Sequence, residues 1–396
     1  IDLVKIQFST SDNRHSFERG MSCIGRLHNI MKKNILILEG RETIGGGQII
    51  TKKICKILSE SNNVSVFIPG EKNAISDYLS EYRIFNYKIK EYTRGKKKNK
   101  DYIYFIYNFF STYMSLYKVL NNNHFDIIYI QHQNVLPVAV FVNMIFKKTV
   151  IAHLHVVYVD KVIRLVVNKC LQNKYIRKII GVSNYTLQQL NSSNKSKSLV
   201  IYNPISSQKK VKDKKYSYQI AIVGDVINNK GHHLLFESLM NYSSKYTVHI
   251  VGNIIDEKYY ESLKNKYQSI DTIYTGMIDD VCKYLSRNKI DLVIVPSISP
   301  FETFSLSMVE SWSMGIPTIA TNAFGMKEIV NTFIPKYASQ MLFNLSDSSD
   351  LIDKINELES NTSLYKEISD KTYKIVEEKL NYEIFSKSLN EIIESI

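Results

Sequence analysis

Only four cysteines occur in the 396 residues, at Cys23, Cys55, Cys170 and Cys282, and none stands at a paired spacing from another. That excludes a disulfide framework and a cysteine-based zinc site, and it fits a reducing compartment. Long apolar runs are also missing. The longest, VLPVAVFVNMIF at 135–146, is too short to cross a bilayer and predicts a buried helix. No basic region leading into an apolar stretch and a cleavage site opens the chain, so no secretion signal is visible and a cytoplasmic setting is expected. Neither the Walker spacing nor the dinucleotide G-x-G-x-x-G is present. Glycine is scarce, at 15 residues, so three together at Gly45, Gly46 and Gly47 form a signal: a tight turn or a close approach of backbone to ligand.

What is present in excess is positive charge. Lys and Arg number 51 against 38 Asp and Glu, a net +13. This balance favours nucleic acid, a phosphate-bearing substrate or an anionic membrane face. The abundance of Lys, Asn, Ile and Tyr, whose codons can be A/T-heavy, offers a compositional origin for part of it. With 44% hydrophobic and 22% charged residues the chain has the make-up of a globular enzyme, which excludes a disordered one.

The length implies two domains. Residues 1–30 are polar and aperiodic, and the text changes at Met31 to MKKNILILEG, the pattern of a first strand in an α/β domain. Apolar strand runs then alternate with helical patterns up to SLVIYNPI at 198–205. The lysine-rich SSQKKVKDKKYS at 206–217 reads as a linker, after which a second series opens at YQIAIVGDV. Alternating strands and helices imply right-handed crossovers and mostly parallel sheets. The expected fold class is α/β, with two doubly wound Rossmann-like domains at 31–205 and 218–375 facing a central cleft.

In such sheets ligands bind beyond the carboxyl ends of the strands. IDLVIVPS is a strand, so Glu302 falls in the loop leaving it, and Glu310 lies about two turns into a helix expected over 304–314. An acid at a helix start is ordinary by itself. Two carboxylates at this spacing suit separate diols of one long ligand better than the flanking of one bond by a hydrolase pair. In IVGDVINNKGHHLL, Lys230 and Gly231 at a helix start form a candidate diphosphate cradle, a weak signal that also fits a solvated lysine. His153 and His155 end the strand TVIAHLH on one face, without a third metal ligand at suitable spacing.

The segment PSISPFETFSLSMVESWSMGIPTIATNAFGMKEIV resembles the motif of the group 1, family 4 glycosyltransferases: Pro-Ser, Glu, seven residues, Glu, then Gly-x-Pro, a strand, Gly and Glu. GGGQ, VSNYT, IYNPI and VGDVINNKG are weaker matches, and the resemblance covers about Met31 to the end. It implies the GT-B fold, with an acceptor-side first domain, a donor domain, and a helix at 376–396 returning to the first domain. It implies sugar transfer with retention from a nucleotide diphosphate sugar, held as substrate, with no metal or other cofactor. By the same likeness Glu302 would contact the donor sugar and Glu310 the ribose. Lys230 with Gly231 would hold the diphosphate, and the amides of Phe304 and Ser305 the phosphate or sugar. Gly46 and Gly47 would lie against the donor, and His155 near the reacting carbon. Asp225 stands where the family often has Arg, Thr303 and Ser305 where glycines often flank the Phe, and Phe324–Gly325 where a Gly pair is common.

The expected activity is glycosyl transfer to a glycan or lipid-linked glycan, in surface polysaccharide, O-antigen or capsule synthesis, by a protein peripheral on the inner face of the membrane. Lys96, Lys97, Lys98 and Lys100 beside the aromatic stretch 102–117 are candidates for that contact, though a solvated loop next to a packed helix reads equally well. A nucleotide-sugar epimerase on the same fold is an alternative. A nucleic-acid-binding module stacking bases on those aromatics is another, and it lacks any recognisable motif; no nucleic-acid partner is expected. Because residues 1–30 offer no amphipathic face, a chain beginning at Met31 is expected to fold and keep activity. Aggregation of the shortened chain, with the full one soluble, would show that the segment packs on the core.

Overall fold

The computed structural model describes residues 32–71, 73–90, 99–206, 208, 217–242, 244–345 and 347–396. The segment 1–30, the expected start at Met31, Lys96–Lys98 and most of the expected linker 206–217 lie outside them. Two parallel sheets organise the rest. The first contains β1 (Asn34–Leu38), β2 (Asn63–Pro69), β3 (Arg83–Tyr87), β4 (Ile127–Ile130), β5 (Thr149–Leu154), β6 (Ile176–Gly181) and β7 (Ser198–Val200). They lie in the order β3-β2-β1-β4-β5-β6-β7, every pair parallel. After the opening Asn34, the central strands NILIL and IIYI are apolar because helices cover both faces of the sheet.

On one face lies α1 (Gly46–Ser59), whose Ile50, Ile54, Ile57 and Leu58 recur at helical spacing and are buried. On the other face α2 (Asn99–Asn122), α3 (Leu136–Phe146) and α4 (Lys161–Leu171) share one core with the strands, through Leu116, Val142 and Leu171 among others. The segment 135–146 is therefore not a wholly buried helix. One side of α3 is in the core, while Phe141, Met144 and Ile145 are exposed, because a crossover helix needs only one covered face.

The second sheet joins β8 (Gln219–Val223), β9 (Thr247–Val251), β10 (Thr272–Gly276), β11 (Leu292–Val295), β12 (Thr318–Thr321) and β13 (Leu342–Phe343). Its order is β10-β9-β8-β11-β12-β13, again parallel. Its helices include α5 (His232–Leu239), α6 (Leu306–Trp312), α7 (Phe324–Phe333) and α8 (Thr362–Lys379), packed on one core with Trp312 at zero exposure. Helix α8 runs through the expected domain limit at 375, because Ile375, Val376 and Leu380 still pack in the second core. Only α9 (Tyr382–Glu394), capped by Asn381, crosses back. Its Phe385, Leu389, Ile392 and Ile393 enter the first domain's core beside α1, and Lys33 Nζ donates to the carbonyls of Ile393 and Ile396 at 2.6 and 3.1 Å. Among the described residues no helix is long and apolar enough to cross a membrane.

Removing an aromatic side chain from such a seam leaves a cavity and costs about 3–5 kcal/mol. Phe385→Ala is expected to destabilise the first domain by that amount, read as an earlier denaturant midpoint, while the second domain's core is untouched. A midpoint unchanged by this substitution would mean that α9 contributes nothing to the first core.

Candidate active site

The loop Pro296–Ser305 leaves the carboxyl end of β11 and is folded on itself, with Glu302 N donating to Ser299 O at 3.1 Å. Gly325 at the start of α7 closes against it. Its N–H donates to Glu302 O at 3.0 Å, and a Cβ there would sit 2.1 Å from the carbonyl oxygen of Thr303. Glu302 Oε2 meets Lys230 Nζ at 2.6 Å, with the glutamate largely covered. The lysine stem passes over the bare Cα of Gly224 at the end of β8. Gly231 follows at φ 72, and a Cβ there would meet Pro296 O at 1.9 Å, so only glycine fits. Asn229 O accepts from Ile298 N and Ser297 Oγ, which ties the two loops together. The structure thus joins two of the residues singled out in the sequence into one ion pair.

Helix α6 is shorter than the expected 304–314. Ser305 caps it by accepting from Met308 N, and Gly315 at φ 71 turns the chain away, so Glu310 is its fifth residue. The amides of Phe304 and Ser305 stand just ahead of a first turn whose N–H groups have no partner in the helix itself. Phe304 is buried, with its ring 6.2 Å from that of Tyr202 in the first domain. Burial pushes the Glu310 carboxyl above the usual carboxylate range, and the ammonium of Lys53 on α1 opposes that shift. Burial likewise pulls the Lys53 ammonium down, although Lys53 donates to Pro204 O at 2.7 Å. An acid of one domain and a base of the other therefore act on each other across the cleft.

Gly45 caps α1, and the three glycines divide their work. A Cβ at Gly46 would come within 2.9 Å of Leu306 Cδ1, so bare backbone there lets α1 abut α6 of the other domain. Gly47 faces open space. Glu39, at the end of β1, holds this loop from below: it accepts from Gly40 N, Gln48 Nε2 and Thr51 Oγ1 at 2.8, 3.1 and 2.7 Å. Burial raises its carboxyl and these hydrogen bonds counter the rise. Sequence reasoning missed Glu39, although an acid directly after an apolar strand was a usable signal.

His153 and His155 lie at the end of β5 with ring centres 4.4 Å apart. His153 Nδ1 is 2.9 Å from Tyr129 Oη, and the Nε2 atoms of both histidines are buried with no hydrogen-bond partner among the described residues. Burial drives His155 down to about 3, with the charge of nearby His132 adding to it. His132, also missed in the sequence, is itself lowered to about 4 by burial and then by Arg41. Gln133 steadies the loop, accepting from the main-chain N–H groups of His155 and Val156 at 3.1 and 2.8 Å. Among the described residues no three His, Cys, Asp or Glu side chains converge as a metal site.

Two side chains, Thr303 and Glu328, bond across the domains at this point. Thr303 Oγ1 donates to the main-chain carbonyl of His155, so the residue after Glu302 touches the residue expected at the reacting carbon. Glu328 on α7 accepts from Asn184 N at 2.7 Å, from Tyr185 N and from Tyr202 Oη at 3.0 Å. The departures from the family pattern gain a physical sense here. Thr303 supplies a cross-domain donor that glycine lacks, and Ser305 supplies the helix cap. Phe324 takes φ 55, a left-handed conformation that costs a non-glycine residue about 1–2 kcal/mol, and its ring lies 6.0 Å from Tyr185 across the cleft. Asp225 accepts from Asn253 N at 3.3 Å and brings no cation.

Residues 204–375 match the family model described as "Glycosyl transferases group 1". An uncharacterized glycosyltransferase of Methanocaldococcus jannaschii is 29% identical over 198 residues, 49% of this chain and 52% of that protein. The chain spans about half the length of the curated relatives it matches. Among solved structures, Anabaena HepE in complex with UDP and glucose superposes with a TM-score of 0.76 at 17% identity, over 92% of this chain and all of that one (100%). The lipopolysaccharide outer core galactosyltransferase WaaB in its apo form gives 0.67 at 16% identity, over 92% and 99%. The fold of both sheets is the GT-B fold.

The buried histidines set a dependence on pH. A histidine held neutral in the fold regains its ordinary value near 6.5 on unfolding, so acid favours the unfolded chain. Stability is whole above that value and is lost progressively as pH falls toward about 3 for His155. The melting midpoint should therefore drop as pH is lowered from 7.5 to about 4.5, and His155→Asn should flatten the slope. Equal slopes in both proteins would show that His155 titrates normally.

Proposed function

We propose that this chain, whose residues 204–375 match the group 1 glycosyl transferases, moves a sugar from a nucleotide diphosphate sugar to a hydroxyl acceptor, with retention of anomeric configuration. The observation that carries this reading is the Lys230–Glu302 pair at the carboxyl end of the second sheet, one residue from the Thr303 contact to His155. The leaving nucleoside diphosphate gathers negative charge, and a fixed ammonium beside it lowers the barrier. Lys230 exchanges its bond to Glu302 for one to the diphosphate, which frees the carboxylate to accept from the hydroxyls of the sugar. Glu310 holds the ribose, with the charge of Lys53 favouring its ionised form. His155 stays neutral, so its Nε2 is available to a sugar hydroxyl at the reacting carbon. The contacts of Thr303 and Glu328 hold the cleft closed, which orients the reactants and keeps water out.

The UDP and glucose of HepE support a nucleotide-sugar donor, and the work of WaaB in the lipopolysaccharide outer core supports a surface glycan as product. A lipid-linked acceptor at the inner face of the membrane completes the proposal.

Two carboxylates gripping opposite ends of one donor give different defects when altered. Glu302→Gln is expected to lower turnover more than donor affinity, and Glu310→Gln to raise the donor Michaelis constant more than it lowers turnover. A lost charge-assisted hydrogen bond is worth about 1.5–3 kcal/mol, roughly ten- to a hundredfold. Lys230→Ala should harm both constants. Steady-state kinetics with a panel of nucleotide sugars decides the matter. Near-normal kinetics in both glutamate variants, or only a lowered melting point, would mark the two acids as structural.

A further inference from the structure

Helices α2, α3 and α4 form one layer, their inner sides sharing a single core on the same face of the first sheet. Their outer sides are apolar too. Ile103 and Phe110 on α2, Phe141 and Ile145 on α3, and Val162 and Leu165 on α4 are all more than half exposed, Leu165 at 70%. The helices are neighbours, with Phe141 6.3 Å from Phe109 and 5.9 Å from Tyr113, and α3 packed on α4. Single exposed apolar residues are ordinary, but a patch running over three adjacent helices marks an interaction site.

The charge around this patch has one sign. Over 99–171, the stretch that spans the three helices, the sequence contains no glutamate, and seven Lys or Arg stand against three Asp. Within the layer Lys100, Lys118, Lys147 and Lys161 are exposed. Its acids are otherwise engaged: Asp101 is buried, Asp126 accepts from Asn34 N, and Asp160 caps α4. Apolar side chains flanked by lysines are the composition of a surface that lies in the headgroup region of anionic lipid. A second copy seated on the same patch would bring lysines against lysines.

The patch also adjoins the site. Val159, 58% exposed, follows His155 by four residues, a reach of at most about 14 Å along the chain. We propose that the outer face of α2, α3 and α4 docks on an anionic lipid bilayer, seating the acceptor side of the cleft at the membrane. This rests on the transferase reading with a lipid-linked acceptor, and it adds the surface and the orientation. Apolar side chains enter the headgroup boundary, the lysines meet lipid phosphates, and the loop from His155 to Asp160 opens toward the acceptor.

The test is co-sedimentation of the full chain with phosphatidylcholine vesicles, with and without phosphatidylglycerol, at physiological and high salt. Donor turnover without vesicles is measured in parallel. The wild type should bind only the phosphatidylglycerol vesicles and weaken with salt. The double variant Val162→Ser/Leu165→Ser should lose about tenfold in bound fraction, and so should Lys118→Gln/Lys161→Gln. Both should keep the wild-type melting midpoint and donor Michaelis constant. Undiminished binding by both variants overturns the surface and leaves glycosyl transfer standing. Absent donor turnover with normal vesicle binding sinks the transferase reading instead. A wild type that ignores anionic vesicles overturns the proposal, and if it runs as a dimer that the apolar variant converts to monomer, the face belongs to a second copy.

Discussion

The main-chain N–H groups of Asn184 and Tyr185 open a short helical turn and have no partner within it; a carboxylate from the other domain supplies one. Glu328 therefore does more than decorate α7. The Tyr185 N–H is partly covered, and such a group left without an acceptor costs up to about 1–3 kcal/mol, so this side chain helps to fix the relative position of the two domains. Tyr202 completes the same carboxylate, and Phe304 packs on Tyr202. From there the chain runs through Thr303 to the carbonyl of His155. The distance between the two halves of the site follows from these bonds.

Charge in the cleft is arranged with few free partners. Lys230 and Glu302 neutralise each other, and Lys53 faces Glu310 from the opposite domain. Burial works against the ionised form of Glu310 and of Lys53, and the charge of each opposes that shift in the other. Under the proposed reading, an incoming diphosphate would exchange one ion pair for another instead of meeting a bare cation. The histidines take the opposite course and remain neutral, which suits contact with uncharged hydroxyls.

How much of this was legible in the sequence follows from the range of each interaction. The strands NILIL, IIYI and LVIV announce themselves because parallel strands buried on both faces must be apolar along their whole length. Glu302, Lys230 and His155 were readable because polar residues just past such strands fall at the ligand side of the sheet. The limits of α6 were set too wide, since its cap is a serine in a loop already rich in serine. Lys53 and His132 could not be found. Lys53 lies in a helix that reads as an ordinary solvated lysine pattern, and what matters about it is Glu310, 257 residues away by number. His132 gains its character from Arg41 and from burial under Gly40, neither of which periodicity reveals. The outward side of α3 was read as core because an apolar run carries no mark of which face is covered.

The return of α9 gives the molecule an order of assembly. During synthesis the strands β1 to β7 emerge first, yet the core that holds Ile50 and Ile54 also takes in Phe385, Leu389 and Ile393 of α9. The second domain's core runs to Leu380, ahead of those residues in the chain. The half of the protein made first is thus finished last, and its unfilled groove waits through the making of the whole other domain. A chain stopped before α9 would carry an intact second domain joined to a first domain still open beside α1.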